Sequence, residues 1–314
     1  MTSEGSHNSD DRRDRIESEN NEHSSGMKRR SFLKIVGATG AGTLPAGQIF
    51  AQEEGADNET VGVLIDTTRC MGCRTCELTC AEVHGFPEPD LDFSVFEEER
   101  TTSETQWVVV NEYKTDIGDV YVKKQCMHCV QPACASACLT RAMYKTEEGP
   151  IIWRGNKCMG CRFCMISCPF DIPKFEYHSA NPKILKCNLC WDRQQEGQIP
   201  ACVENCPGDA LMFGRRSALI EEGRSRIYQN PNNYYHQIYG EHAAGGTSVM
   251  YLSAVPFDQI GFRKDVGTTP YPEYSKGFLY SVPIILTLVP PFLLAMNNAA
   301  RRSSESEQHG AGND

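Results

Sequence analysis

The cysteines of this chain fall into four groups whose spacing could hold metal. The stretch KCMGCRFCMISCPF, which starts at Lys157, has the pattern C-x2-C-x2-C-x3-C-P. That pattern holds cubane iron–sulfur clusters, since three thiolates wrap one cluster and the fourth reaches a different one. The other groups read C-x2-C-x2-C-x3-C, C-x2-C-x4-C-x3-C and C-x2-C-x11-C-x3-C-P. In chain order the groups are Cys70, Cys73, Cys76 and Cys80; Cys126, Cys129, Cys134 and Cys138; Cys158, Cys161, Cys164 and Cys168; and Cys187, Cys190, Cys202 and Cys206.

The four groups use all sixteen cysteines of the chain. At four thiolates per cluster they predict four [4Fe–4S] clusters as cofactors. Structural zinc is an alternative, but it takes separated C-x2-C pairs around one ion, which would leave the third cysteine of each tight triad unused. A disulfide framework is another, but cysteines two residues apart in a triad form poor bridges. The ferredoxin-type spacing therefore favours iron–sulfur clusters.

The clusters need protein elements that bring the groups together in pairs. Short β runs precede the first group (61–66) and the third (149–154), and others follow the second (142–145) and the fourth (210–214). Groups two and three are thus joined by strand, turn and strand, as in a bacterial two-cluster ferredoxin. Groups one and four carry the same parts in inverted order. We therefore predict an α+β fold of two nested bacterial-type two-cluster ferredoxin units, made of short β-hairpins and helical turns and followed by a C-terminal transmembrane helix.

Exchange of the fourth thiolate within each unit predicts which cysteines hold which cluster. The outer unit would use the sets Cys70/Cys73/Cys76/Cys206 and Cys187/Cys190/Cys202/Cys80. The inner unit would use Cys126/Cys129/Cys134/Cys168 and Cys158/Cys161/Cys164/Cys138. His128 lies within the second group, but cysteines fill every ligand position. We expect it to pack beside a cluster or to hydrogen-bond a sulfur, and we expect Trp153 and Trp191 to shield clusters from water.

The rest of the chain is predicted to surround a double ferredoxin domain at residues 60–215. An insertion at 81–125 contains two apolar strands, at 107–110 and 120–122. Residues 216–275 read as an irregular docking extension: a surface helix over 216–230, then a segment with one strand and little core of its own. The net charge of −10 argues against nucleic acid as a partner.

Both ends of the chain predict export and a membrane anchor. Residues 1–26 are polar and are predicted to be a disordered leader. Residues 27–51 resemble a twin-arginine signal, because Arg29 and Arg30 precede SFLK and a weakly apolar run that ends near Ala51. An accidental basic patch is the alternative. Export by that route carries folded proteins, so clusters could be inserted first.

Residues 276–300 are predicted to form a transmembrane helix, because no charge falls between 277 and 300. Arg301 and Arg302 follow this segment. By the positive-inside rule they place the tail 301–314 in the cytoplasm and the cysteine domain on the periplasmic face of the inner membrane. A buried helix of a soluble protein is the alternative.

Four cysteine groups in this order resemble the electron-transfer subunits of the dimethyl sulfoxide reductase and formate dehydrogenase group. The segments YVKKQCMHCVQPACASAC, KCMGCRFCMISCPFDIPKFEY and IYGEHAAGGTSVMYLSAVP resemble the membrane-anchored iron–sulfur subunit of hydrogenase-2-type complexes.

This resemblance implies a non-catalytic relay between a catalytic subunit and a polytopic quinone-reactive membrane subunit. The catalytic subunit would be a [NiFe] hydrogenase or, alternatively, a molybdopterin enzyme. A stand-alone polyferredoxin and a metal-stapled scaffold are the other hypotheses. No catalytic residue is assigned.

Overall fold

The computed structural model describes residues 60–310, with side chains as far as Arg301. The leader predicted for 1–26 and the twin-arginine segment predicted for 27–51 lie outside the described residues. All sixteen cysteines and the C-terminal apolar helix lie within them.

The elements of the described chain are mostly short. The strands are β1 (Val61–Asp66), β2 (Val109–Thr115), β3 (Gly118–Lys124), β4 (Met143–Lys145), β5 (Ile151–Trp153), β6 (Lys174–Phe175), β7 (Ile184–Leu185), β8 (Leu211–Arg215) and β9 (Val249–Leu252). The α-helices are α1 (Thr75–His84), α2 (Ala133–Ser136), α3 (Phe163–Ile166), α4 (Trp191–Gln195), α5 (Ala201–Glu204), α6 (Arg216–Gln229) and α7 (Tyr271–Gly310). Since α2 to α5 each make little more than one turn, contacts outside the helices must hold them in place.

Strand β1 lies in the middle of a three-stranded sheet. It pairs antiparallel with β8, where Val63 faces Phe213, and parallel with β9, where Val63 faces Val249. Because β1 is buried from Gly62 onward, its sequence is apolar without alternation from Val61 to Ile65. The sheet joins the strand before the first cysteine group to the strand after the fourth. The predicted outer unit, closed across the chain, is confirmed.

The inner unit is organised around the hairpin of β4 and β5. Met143 faces Trp153 and Lys145 faces Ile151, and the turn is closed by a 2.8 Å hydrogen bond from the Thr146 N–H to the Pro150 carbonyl. This hairpin lies at the predicted position, so the nested α+β fold class is confirmed. The hairpin of β6 and β7 was not predicted, because strands of only two residues show no alternation of apolar and polar residues.

The insertion between the first two cysteine groups folds as the hairpin of β2 and β3, which overlaps both predicted strands. Glu77 of α1 joins this hairpin to the first cysteine group. Its fully buried carboxylate accepts hydrogen bonds from the guanidinium groups of Arg74 and Arg100, the amide of Gln106 and the backbone N–H of Val110. The insertion therefore braces the helix that carries Cys76 and Cys80.

Residues 230–270 pack into the core of the ferredoxin units, which their buried side chains share with Val63, Ile65 and Val122. Strand β9 is buried along its whole length, and aromatic side chains beside it pack ring against ring. The Phe262 ring lies 4.5 Å from Tyr239 and 4.7 Å from Tyr251, centroid to centroid. The Tyr251 hydroxyl donates to the Lys123 carbonyl at 2.9 Å, so tyrosine can be buried here without an unpaired polar atom.

Two helices follow the ferredoxin units. The predicted surface helix is confirmed as α6, which buries Leu219 and Gly223 and packs on β1 and β8. Helix α7 is long and apolar enough over Tyr271–Arg301 to cross a membrane. At 1.5 Å per residue those 31 residues span about 46 Å, against a hydrocarbon core of about 30 Å. Helix α7 also contacts α2, the turn that carries Cys134.

Candidate iron–sulfur centres

One cavity is lined by cysteines from the two ends of the outer unit. Cys70, Cys73 and Cys76 of the first group meet Cys206 of the fourth around it. Cys206 lies more than a hundred positions after the other three cysteines. The pairing of β1 with β8 brings it to them, because β1 precedes the first cysteine group and β8 follows the fourth. The four thiols are one of the sets that thiolate exchange predicts.

A second cavity has the corresponding composition in the inner unit. Cys158, Cys161 and Cys164 of the third group meet Cys138 of the second, and the β4–β5 hairpin connects the two groups. Trp153 also lines this cavity, in the shielding position expected for it. Trp191 is half-buried at the start of α4.

The remaining eight cysteines gather in the interior. Burial, and then the proximity of Cys187 and Cys202, raises the pKa of the Cys80 thiol. Burial, followed by Cys126 and Cys168, raises the pKa of Cys129 well above its usual value. The neighbours that perturb these two thiols come from the groups that the exchange rule pairs, whereas the first thiol that perturbs Cys187 is Cys126 of the inner unit.

The backbone around the cysteines repeats from group to group. Gly72 and Gly160 occupy the left-handed region in the first and third groups, and Arg74 and Arg162 repeat it two residues later with φ of 59°. Helices α1 and α3 begin directly after these arginines. Helix α1 carries the fourth cysteine of its group, and α3 ends two residues before the fourth cysteine of its own. The repeated left-handed residues curl each loop so that its first three thiols can face one cavity.

Backbone N–H groups also point at cysteine sulfurs. The N–H of Met143 lies 3.3 Å from Cys138 Sγ, that of Leu189 lies 3.4 Å from Cys187 Sγ, and that of Gly160 lies 3.5 Å from Cys158 Sγ. Such donors stabilise thiolate charge and tune the potential of a bound cluster.

The donor chemistry fits cubane clusters. All sixteen cysteines are free thiols, and burial raises the pKa of Cys164 to about 11 and that of Cys187 to about 12. Uncharged thiols suit a buried site only while no metal is bound. Bound iron reverses this preference, because a coordinating thiol is deprotonated. A [4Fe–4S] cluster held by four such thiolates supplies one-electron transfer.

Two cysteines differ from the others in exposure. Cys73 and Cys161 are exposed, whereas the other fourteen are buried or half-buried. They belong to the two cysteine-lined cavities described above, and exposed apolar side chains lie next to them in sequence, Met71 near Cys73 and Met159 and Phe163 near Cys161. These two sites are therefore the ones nearest the surface.

His128 was expected to pack beside a cluster or to hydrogen-bond a sulfur. Among the described residues, its ring forms no hydrogen bond with a cysteine sulfur. It is fully buried, and its Nδ1 accepts a 3.0 Å hydrogen bond from the Ile151 N–H. Burial, with the nearby Lys186 ammonium, lowers its pKa well below the usual value. A neutral imidazole therefore links the second cysteine group to β5.

Sequence patterns gave no sign of three other buried charges near the cysteines. Glu77, Lys123 and Lys186 are each almost wholly buried. Charged residues usually face solvent, so only their positions close to cysteines could have singled them out.

Nested two-cluster ferredoxin units with sixteen gathered thiols define an iron–sulfur electron-transfer protein. The family description "4Fe-4S dicluster domain" matches residues 118–216. A protein of Nitratidesulfovibrio vulgaris is 43% identical over 290 residues, which cover 89% of this chain and 78% of that protein.

Two further relatives have informative names. The hydrogenase-2 operon protein HybA of Escherichia coli O157:H7 is 30% identical over 329 residues, covering 92% of this chain and 99% of HybA. The formate dehydrogenase-O iron–sulfur subunit of Escherichia coli K12 is 32% identical over 207 residues, covering 62% of this chain and 67% of that subunit. The chain belongs to this family of hydrogenase and molybdopterin oxidoreductase iron–sulfur subunits.

Proposed function

We propose that the chain holds four [4Fe–4S] clusters, each bound by three thiolates of one cysteine group and the fourth thiolate of its paired group. The observation that carries this proposal is the pair of cavities that are each lined by four cysteines from two groups. The proposed ligand sets are Cys70/Cys73/Cys76/Cys206, Cys187/Cys190/Cys202/Cys80, Cys126/Cys129/Cys134/Cys168 and Cys158/Cys161/Cys164/Cys138.

The four sites form a row with two interior and two surface members. Cys80, Cys126 and Cys187 share one buried cluster of side chains with Trp107, Val108 and Ile172, so the two interior sets adjoin each other. The exposed Cys73 and Cys161 belong to the other two sets. This order lets an electron enter at one surface of the protein and leave at the other.

The row serves as the relay of a membrane-bound respiratory oxidoreductase. We propose that helix α7 anchors the chain in the membrane, and its contact with α2 supports an orientation in which the inner unit lies beside the membrane. The Cys161 end would then meet a polytopic quinone-reactive membrane subunit, and the Cys73 end would meet the catalytic subunit. The twin-arginine segment at 27–51 and the arginines after the span would put the ferredoxin units in the periplasm and the C-terminus in the cytoplasm.

A [NiFe] hydrogenase is the catalytic partner that we propose. The likeness to the hydrogenase-2 operon protein covers nearly all of both chains, whereas the likeness to the formate dehydrogenase subunit covers about two thirds of each. Because both relatives share the cysteine-rich region, a molybdopterin enzyme is the second candidate partner.

Metal analysis of the complex purified anaerobically from detergent-solubilised membranes tests these proposals. We expect about sixteen iron atoms per chain, from four per cluster, and nickel from the co-purifying catalytic subunit. Molybdenum or tungsten in place of nickel would select the second partner. A colourless chain, or one that contains zinc in place of iron, would contradict the relay itself.

A further inference from the structure

A lysine is buried in the outer ferredoxin unit beside the cysteines. Lys123, near the end of β3, is 1% exposed and lines the cavity of Cys70, Cys73, Cys76 and Cys206. Its ammonium donates a hydrogen bond to the Gln125 side-chain carbonyl. A buried charged group is costly unless an opposite charge lies nearby.

A second buried lysine lies where the two units meet, directly before Cys187 of the fourth cysteine group. Lys186 is 5% exposed, and its Nζ donates to the carbonyls of Ile151 at 2.5 Å and Cys187 at 3.0 Å. It lies near Cys134 and Cys168, two proposed ligands of one inner cluster, and offsets part of the rise that burial imposes on their pKa values.

Neither ammonium forms an ion pair with a carboxylate of the described residues. Their hydrogen-bond acceptors are neutral amides. The negative charges available to balance them are the cysteine thiolates, and Lys123 is an electrostatic neighbour of Cys76, Cys187 and Cys202. Four thiolates leave a [4Fe–4S] cluster with a net negative charge, which grows when the cluster accepts an electron.

We infer that Lys123 and Lys186 are internal counter-cations that raise the reduction potentials of the clusters they face. This inference depends on the proposed cluster sites. Since the ammonium attracts the added electron, the reduced cluster gains more stabilisation than the oxidised one. Lys123 would act on the outer clusters. Lys186 would act on the inner cluster that Cys134 binds and on the adjoining outer cluster of Cys187, whose carbonyl its Nζ contacts. Each lysine therefore supplies charge and is not a ligand.

Redox titration followed by EPR spectroscopy tests the inference in the purified complex. Lys123→Met keeps an unbranched side chain and removes the charge. At a fixed potential we expect the reduced-to-oxidised ratio of an outer cluster to fall at least about tenfold, which is about 59 mV for a one-electron couple. The inner clusters should keep their potentials. Lys186→Met should lower the potential of the inner cluster that Cys134 binds and that of the outer cluster that Cys187 binds.

Matched variants separate charge from packing. Lys123→Arg keeps the charge, so we expect full iron content and a potential near that of the unchanged protein. Lys157→Met removes a lysine that directly precedes Cys158, as Lys186 precedes Cys187, but Lys157 is exposed. Solvent screens the charge of Lys157, so we expect the reduction potentials of the clusters to change little in this variant.

Three results would overturn the inference. The first is an unshifted potential in both methionine variants that retain their iron. The second is a shift in Lys157→Met as large as theirs. The third concerns assembly: if Lys123→Met loses a cluster, Lys123→Arg must retain it, and loss in both variants would mean that the residue acts through packing. Iron content near zero in the unchanged complex would instead refute the proposed clusters.

Discussion

Replacing Glu77 should destabilise the outer ferredoxin unit far more than replacing an exposed glutamate. Its carboxylate is fully buried and pairs with Arg74 at 2.9 Å and with Arg100 at 2.7 Å, and the Arg74 side chain is itself only 3% exposed. In Glu77→Ala the buried Arg74 guanidinium would keep its hydrogen bonds to the Asp90 and Asp92 carbonyls but would lose the carboxylate that balances its charge. Loss of one member of a buried ion pair costs about 3–5 kcal/mol, and whole domains are stable by only about 5–15 kcal/mol.

The chain offers a matched control for this variant. Glu204 also pairs with an arginine, Arg193, at 2.5 Å, but its side chain is 52% exposed. Like Glu77, it lies between two proposed cluster ligands, Cys202 and Cys206. Exposed ion pairs contribute about 0–1 kcal/mol, so Glu204→Ala should lower stability only slightly.

Thermal unfolding of the detergent-solubilised complex, followed by the loss of cluster absorbance at one heating rate, measures the difference. At about 2–4 °C per kcal/mol for a domain of this size, Glu77→Ala should lower the apparent Tm by about 6–20 °C. Glu204→Ala should lower it by no more than about 4 °C. If the two variants unfold at the same temperature, the contacts between α1 and the β2–β3 hairpin do not support the first cysteine group.

Three further predictions concern the sheet, the surface and the clusters. Gly62→Ala should lower the free energy of unfolding in urea by about 1–3 kcal/mol, because a Cβ at that position would lie 2.1 Å from the Ser248 carbonyl oxygen. Gly214→Ala should lower it less, because the nearest atom to its Cβ would be 3.8 Å away, and equal losses of stability would contradict the tight β1–β9 contact. Ile166→Glu, at a side chain 81% exposed near Cys161, should slow quinone-linked turnover several-fold while reduction of a soluble dye continues, whereas Tyr228→Glu, at an 87% exposed site, should change neither rate. Removal of iron by an anaerobic chelator should abolish the far-ultraviolet circular dichroism of the ferredoxin units, because single-turn helices need the clusters, and a retained signal would show that the polypeptide folds alone.

Cysteine spacing predicted more of this protein than hydrophobic pattern did. The exchange rule and four short β runs were enough to predict the nested units, since a strand beside each group leaves few ways to pair them. The hairpin of β4 and β5 and the β1–β8 pairing occur where those runs lie.

Long-range burial was harder to predict. Strand β9 looked like an isolated run in a tyrosine-rich segment, because its partner β1 lies almost two hundred residues earlier. Lys123 and Lys186 carry no pattern at all, since a buried lysine is recognisable only once its surroundings are known. The ligand sets, the number of clusters and the membrane orientation stay predictions.

The most direct test of the nested arrangement compares EPR spectra of three cysteine variants in the reduced complex. Cys73→Ser and Cys190→Ser identify the signals of the two outer clusters. We predict that Cys206→Ser alters the same signal as Cys73→Ser, because the fourth cysteine group supplies the last thiolate of the cluster that the first group holds. An altered Cys190 signal with an unchanged Cys73 signal would contradict it, because each group would then hold its own cluster.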